Sequence, residues 1–303
     1  MSVAAGGQGE AGGPRLDLAI KVGGAEGISY ERFARDLASM MGGAPEAYVP
    51  AGGCQAGGGR SNDGLRVVVV HGGSSEANVL GEALGRPQRF ITSPSGHVSR
   101  RTDRDALEVL MMAVAGKVNK IIVERLQRFG VNAIGLSGMD GRLLVGSRKT
   151  AVRYVEDGKT RVLRDDLSGR VEGVNVPLAW GLVTAGCVPV VSPLAISVAG
   201  EPLNVDADLC AAAIAGAFRA RRLVILSNVP GLLEDPADPR SLIRSITAQS
   251  LASYQRYAVG RMKKKILAAA EALESGVEEV IIGDARVDDP VTQAVNGGGT
   301  VIR

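Results

Sequence analysis

Strand-like and helix-like stretches alternate along this 303-residue chain, and that order predicts an α/β fold with helices covering both faces of a mainly parallel sheet. Three observations carry the prediction. Two apolar runs, 18–22 and 67–71, are continuous rather than alternating, as strands buried on both faces are. Each runs into a glycine pair, Gly23-Gly24 and Gly72-Gly73. Between and after them, apolar residues recur at helical spacing. One antiparallel hairpin excursion is expected at 152–163, where Asp157-Gly158 separates two short runs and has the turn chemistry that matches strand twist.

The elements follow in order. Ser29 can cap a helix whose apolar stripe is Tyr30, Phe33, Ala34, Leu37, Met40 and Met41. Residues 42–64, rich in Gly, Ala and Pro, read as a flexible insertion. A strand at 65–70 and a helix near 74–85 come next. Thr102 with Asp105 has the pattern of a capping box for a long helix to about Phe129, striped by Leu107, Leu110, Val114, Val118, Ile121 and Ile122. A short strand at 133–136 and the hairpin precede a helix at 177–185 and a strand at 187–192. The chain closes with helix 207–218, strand 222–227, helix 262–275, strand 278–282, a short helix near 289–295 and strand 299–302. The hairpin and the 193–204 link mark a boundary between an N-terminal lobe, 16–195, and a C-terminal lobe, 196–303, behind a disordered tail at 1–15.

Composition narrows the function. The chain is 45% hydrophobic and 22% charged, which is ordinary for a globular protein, and its net charge of +3 is too mild to argue for a nucleic-acid partner. Three widely spaced cysteines, Cys54, Cys187 and Cys210, indicate neither a disulfide framework nor a metal site, and Cys210 reads as a small core residue. Two histidines are too few for a histidine-based zinc centre. The N-terminal stretch has no apolar segment and no apolar run reaches membrane-spanning length, so a soluble, cytoplasmic protein is expected.

Chemistry concentrates where strands end, which is where open α/β sheets bind ligands. Glycines 23, 24, 72 and 73 let backbone N–H groups approach an anion with no Cβ in the way. Such pairs alone are also common turn chemistry. Lys21, inside a buried strand, alters the balance because a buried ammonium needs an anionic partner. Asp206 is placed to cap helix 207–218, Asp208 lies one turn in, and Asn204 lies where the preceding link ends. Lys263, Lys264 and Lys265 open another helix, where cations oppose the macrodipole, so an anion is expected nearby. Ser227, Asn228 and Gly231 form a loop at the same sheet edge, suited to a nucleotide. Arg100 is either a carboxylate clamp or a solvated residue; Arg101 reads as solvated, and His71 as a structural residue at a strand end.

Taken in order, these motifs resemble the amino acid kinase family, over nearly the whole chain from about residue 16. KVGGAEGI (21–28), VHGGS (70–74), SPSGHVSRRTD (93–103), GLSGMDGRL (135–143), SNVPGLL (227–233) and GRMKKKI (260–266) look most like its [LysW]-aminoadipate/[LysW]-glutamate kinases and, less closely, its N-acetylglutamate kinases. The resemblance implies a three-layer α/β/α, carbamate kinase-like fold. It implies an enzyme using ATP with Mg²⁺ to phosphorylate the side-chain carboxylate of carrier-linked aminoadipate or glutamate in lysine or arginine biosynthesis, with no metal ligand among its own side chains. Lys21 and Lys265 would stabilise the transferring phosphoryl group and Asp208 would organise them, although a shift of register would promote Lys263. Gly72, Gly73, Arg100 and Asn204 become acceptor ligands, and Gly23, Gly24, Ser227, Asn228 and Gly231 bind phosphate and nucleotide. The N-terminal lobe would hold the acceptor and form a homodimer through helix 103–129, and the C-terminal lobe would hold ATP. The 42–64 insertion and the tail are additions to the family pattern.

Three other readings are weaker or remain to be discriminated. An N-acetylglutamate kinase is the first alternative. A non-catalytic sensor of the same fold would be expected to have lost Lys21, Asp208 or Lys265, and a Rossmann dehydrogenase would need a GxGxxG after its first strand. Between 142 and 164, seven basic residues (Arg142, Arg148, Lys149, Arg153, Lys159, Arg161, Arg164) stand against Glu156 and Asp157, a local charge of +5. That hairpin is either a solvated face or a docking site for an acidic carrier protein, and the resemblance favours docking.

Overall fold

The computed structural model describes residues 13–25, 27–42, 64–94, 96 and 98–303. Most of the expected tail at 1–15 and nearly all of the expected insertion at 42–64 lie outside the described residues. The chain begins with β1 (Leu18–Val22), α1 (Tyr30–Met40), β2 (Val67–His71), α2 (Ser74–Ala83), β3 (Phe90–Thr92) and β4 (Val98–Arg100). It continues through α3 (Arg104–Met111), a π-helical stretch (Met112–Val118), α4 (Asn119–Arg128), β5 (Ala133–Ser137), β6 (Leu144–Arg148), β7 (Val152–Glu156), β8 (Lys159–Leu163) and β9 (Gly169–Val174). Next come α5 (Val176–Thr184), β10 (Val188–Ser192), β11 (Leu194–Ser197), β12 (Pro202–Asn204), α6 (Ala207–Ala217) and β13 (Arg222–Ser227). The last are β14 (Ser245–Ile246), α7 (Leu251–Tyr254), α8 (Met262–Glu274), β15 (Glu279–Asp284), α9 (Pro290–Val295) and β16 (Gly299–Ile302).

The central sheet has the order β14-β16-β15-β13-β1-β2-β10-β5 and is parallel except where β16 runs against β15. Its strands alternate between two cores. Ala19, Val68, Val70, Leu223 and Ile225 pack on the side of α6 and α8, while Leu18, Ile20, Val67, Val69 and Val224 pack on the side of α1 and α4. Both faces are therefore apolar, which is why the strands read as continuous runs and why the fold has three layers. Cys210 lies in the first core, as a small apolar residue would.

Several expectations meet the structure closely. Ser29 caps α1, its hydroxyl accepting from Arg32 N–H, and the hairpin turns at Asp157 and Gly158 with φ of 51° and 71°. The Thr102–Asp105 capping box does not form. Asp103 is the cap, accepting from Ala106 N–H, because Thr102 is fully buried and its hydroxyl is engaged elsewhere. The antiparallel excursion is also larger than one hairpin. Two four-stranded sheets flank the central one, β12-β11-β6-β9 and β4-β3-β7-β8. The expected lobe boundary at 195/196 falls inside β11, which pairs with β12 across a hairpin.

Candidate active site

The parallel strands β1, β2 and β13 end at one edge of the sheet, and the glycine pairs lie there. Gly23 N–H donates to Leu226 carbonyl oxygen and Gly72 N–H to Val22 carbonyl oxygen, so the two loops continue the sheet's register by one step. They then meet backbone to backbone. A Cβ on Gly24 would stand 2.7 Å from Gly73 N, which no side chain tolerates. His71 holds the second loop in place. Its Nδ1–H donates to Gly72 carbonyl oxygen at 2.7 Å, and its Nε2 accepts from the Asn119 amide at 3.1 Å. Full burial, only partly offset by that hydrogen bond and joined by the charges of Lys120 and Lys21, lowers this imidazole to about 4. It is a neutral structural residue.

Lys21 is in step with Ala19, so it faces the layer of α6 and α8. There it meets Asp208 near the start of α6 and Lys265 in the first turn of α8. Lys265 Nζ donates to Asp208 Oδ2 at 2.8 Å, and Lys21 Nζ lies 2.8 Å from Oδ1 as a charge contact. All three side chains are less than a tenth exposed. Burial alone would raise the Asp208 carboxyl, but the charges of Lys21 and Lys265 outweigh it and hold Asp208 well below the usual carboxylate range. Burial and the Lys21 charge lower Lys265, against the pull of Asp208. Two ammonium groups share one carboxylate, so this dry cluster carries one positive charge in excess.

The other lysines of α8 divide cleanly. Lys264 Nζ donates to Oδ2 of Asp206, whose Oδ1 caps α6 at the Asp208 N–H, and Lys263 is exposed. The anion expected near Lys264 is thus the protein's own carboxylate. Lys265, not Lys263, is the lysine that the helix turns toward Asp208.

Arg100 is the last residue of β4 and is buried. Its guanidinium donates to Gln88 Oε1, to the Ser74 carbonyl and hydroxyl oxygens, and to Asn78 Oδ1, at 2.7–3.1 Å. All are neutral acceptors, and no carboxylate among the described residues pairs with it. Desolvation, with the charge of nearby Arg261, lowers Arg100 to about 10. Arg261 precedes α8 and was assigned no role in the sequence; the only signal was its place beside the lysine run. Asn204, half-buried at the end of β12, donates to Thr102 Oγ1 at 2.9 Å. Thr102 N–H in turn donates to Asp166 Oδ2, and Ser168 N–H to Asp166 Oδ1. Asp166 and Thr102 link the Arg100 and Asn204 segments; Asp166 does not stand out from its neighbours in the sequence, and Thr102 reads there only as a helix cap.

Ser227 ends β13 beside Gly23, in step with Ile225 and so on the Lys21 side of the sheet. Its hydroxyl is buried and has no hydrogen-bond partner, a group left for a ligand or an ordered water. Asn228 is exposed next to it. Gly231 has φ of 157°, and a Cβ there would strike Thr300 Oγ1 and Leu242. Packing therefore accounts for glycine at that position.

A profile of the amino acid kinase family matches residues 19–284. The chain is 48% identical over 288 residues to a [LysW]-aminoadipate kinase of Thermus thermophilus, covering 94% of this chain and 100% of that protein. It is 49% identical over 285 residues to a [LysW]-aminoadipate kinase of Deinococcus radiodurans, covering 94% and 91%. Among solved structures, Giardia carbamate kinase superposes with a TM-score of 0.63 at 15% identity, over 97% of this chain and 99% of that one, a likeness of fold.

Proposed function

Because this chain belongs to the amino acid kinase family, we propose that it phosphorylates the side-chain carboxylate of L-2-aminoadipate or L-glutamate while a small acidic carrier protein of the LysW type holds the substrate's amino group. The phosphoryl donor of such a kinase is ATP. The observation that carries the reading is the buried excess positive charge at Lys21, Asp208 and Lys265, beside the glycine-lined strand ends. A dry site with an uncompensated cation stabilises an anion that enters it.

An oxygen of the acceptor carboxylate forms a bond to the γ-phosphorus as the bond to the bridging oxygen of ADP breaks. The electron pair leaves with ADP, no proton moves, and the product is an acyl phosphate. Catalysis is then positioning and charge stabilisation. Lys21 and Lys265 neutralise the charge spread over the transferring group, and Asp208 keeps both in place. Gly23, Gly24, Gly72 and Gly73 line the phosphoryl path; the N–H groups of Gly23 and Gly72 are bonded to the Leu226 and Val22 carbonyl oxygens, so those of Gly24 and Gly73 are the ones left for the phosphate. Ser227, Asn228 and Gly231 border the nucleotide. Arg100, a buried guanidinium without a carboxylate partner, takes the acceptor's α-carboxylate, and Asn204 borders it.

Mg²⁺ enters with ATP in this reading. Among the described residues no group of three or more His, Cys, Asp or Glu is placed to hold a metal, and both Asp208 oxygens face ammonium groups. Phosphate oxygens and water would hold the ion, which when bound would supply charge neutralisation at the phosphates. Acceptor binding in the N-terminal lobe, ATP binding in the C-terminal lobe, a homodimer through the helix that includes α3 and α4, and a cytoplasmic location complete the proposal. No helix among the described residues is long and apolar enough to cross a membrane.

A hydroxamate-trapping assay with carrier-linked aminoadipate, carrier-linked glutamate and N-acetylglutamate tests it. Trapped acyl phosphate from a carrier-linked acceptor, well above that from N-acetylglutamate, is the expected result. Turnover of N-acetylglutamate alone would make the enzyme an acetylglutamate kinase and overturn the carrier.

A further inference from the structure

The strand register of the small sheet β4-β3-β7-β8 separates its residues into two faces with different surroundings. Directly opposed residues share a face, and successive residues alternate. Thr92 pairs with both Val98 and Val155, Phe90 with Arg100, and Arg153 with Val162. Phe90, Val98, Val155 and Val162 therefore stand on one face together with Arg100 and Arg153. The opposite face carries Ile91, Val152, Tyr154 and Leu163, all half-buried.

The apolar residues of the first face are open to solvent. Phe90 is 46% exposed, Val98 61%, Val155 39% and Val162 48%. A sheet face turned to water normally reads polar, so apolar residues on all four neighbouring strands mark a surface that another molecule covers. This face is also continuous with the candidate active site. Arg100 lies on it, its guanidinium 5.1 Å from the centre of the Phe90 ring and bonded onward to Ser74 and Asn78 of α2.

We propose that this outer face, centred on Phe90, Val98, Val155 and Val162, is where the acidic carrier protein docks to present its tethered amino acid to Arg100; the inference rests on the carrier-linked reading above. A free amino acid would need Arg100 and Asn204 but no apolar surface reaching out to β8. Arg153 supplies the positive charge on this face. Lys159 and Arg161 project from the other one, where Arg161 pairs with Glu156 at 3.0 Å. The basic hairpin is thus divided: Arg153 belongs to the docking face, and Lys159 and Arg161 do not.

The test compares two sets of variants by steady-state kinetics with the carrier-linked acceptor, alongside light scattering for oligomeric mass. Val98→Thr with Val155→Thr and Val162→Thr keeps β-branched shapes and removes apolar surface. It is expected to raise the KM for the carrier-linked acceptor about tenfold, with kcat and the KM for ATP unchanged. Arg153→Glu alone should raise the same KM and flatten its salt dependence, which keeps the proposal testable if the triple variant folds poorly. Lys159→Glu with Arg161→Glu should leave that KM within about twofold. An unchanged KM in both the valine and Arg153 variants overturns the docking face, as does an equal effect from Lys159→Glu with Arg161→Glu. A change of oligomeric mass with no change in KM assigns the face to a second copy of this chain and overturns it too. Wild-type enzyme that ignores the carrier-linked acceptor and phosphorylates N-acetylglutamate removes the carrier itself, a failure distinct from the others.

Discussion

Lys21 and Lys265 reach the two oxygens of one carboxylate from different layers of the fold, each ammonium 2.8 Å from Asp208. One lysine belongs to the central sheet and the other to a helix packed over it. Asp208, at the start of α6, joins them. Because one negative charge serves two positive ones in a buried place, the cluster is complete only when an anion joins it.

The two lysines should matter for rate rather than for binding. Lys21→Ala or Lys265→Ala is expected to lower kcat by about a hundredfold or more with a much smaller change in KM, since each acts on charge developing in the transition state. Lys263→Ala, at an exposed position, should stay within a few-fold of wild type. Steady-state kinetics of the three variants decide the matter; a large kcat loss at Lys263 alone would move the catalytic register.

Arg100→Lys should separate the two substrates. A lysine cannot reproduce the fork that a guanidinium offers a carboxylate, so the KM for the acceptor should rise about tenfold or more while the KM for ATP holds. An unchanged acceptor KM would leave Arg100 only its structural bonds to Ser74, Asn78 and Gln88.

Asp166 is expected to act through position. Its oxygens accept from Thr102 and Ser168 N–H groups, tying the segment after Arg100 to the segment that holds Asn204. Asp166→Ala should raise the acceptor KM, and Asp166→Asn, which keeps one acceptor oxygen, should recover part of the loss. Equal thermal melting of the two variants with an unaltered acceptor KM would reduce the residue to a loop staple.

Acid should destabilise the fold partly through His71. Its imidazole is held at about 4 in the folded chain against the ordinary 6.5, so the unfolded chain binds its proton first. Stability from this group is present above about pH 6.5 and is lost as pH falls toward 4. Thermal melting between pH 7 and 4.5 should show a falling Tm. His71→Gln should melt lower at pH 7 yet lose less on acidification; an equally steep fall would assign the acid sensitivity to other groups.

Local chemistry was readable wherever the chain needs no distant partner. The continuous runs of β1 and β2, the Ser29 cap, the Asp157-Gly158 turn and the Asp206 cap all follow from neighbours a few residues apart, and the structure has each of them. The order of the motifs likewise sufficed to place the chain in its family. Short strands such as β3, β4, β11 and β12 were not readable, because three or four residues hold no period of their own and become strands only by pairing. Thr102 looked like a cap, but a distant Asn204 and Asp166 claim it, leaving Asp103 to cap the helix. Sequence alone thus determined which residue types stand at the strand ends and in what order. Only the tertiary structure decided that Lys265 rather than Lys263 meets Asp208, that Arg100 is buried without a carboxylate partner, and that Arg153 and Arg161 occupy opposite faces. The reason is physical: helical phase, sheet register and burial set which side chains share a space, and contacts between residues far apart in the chain fix all three.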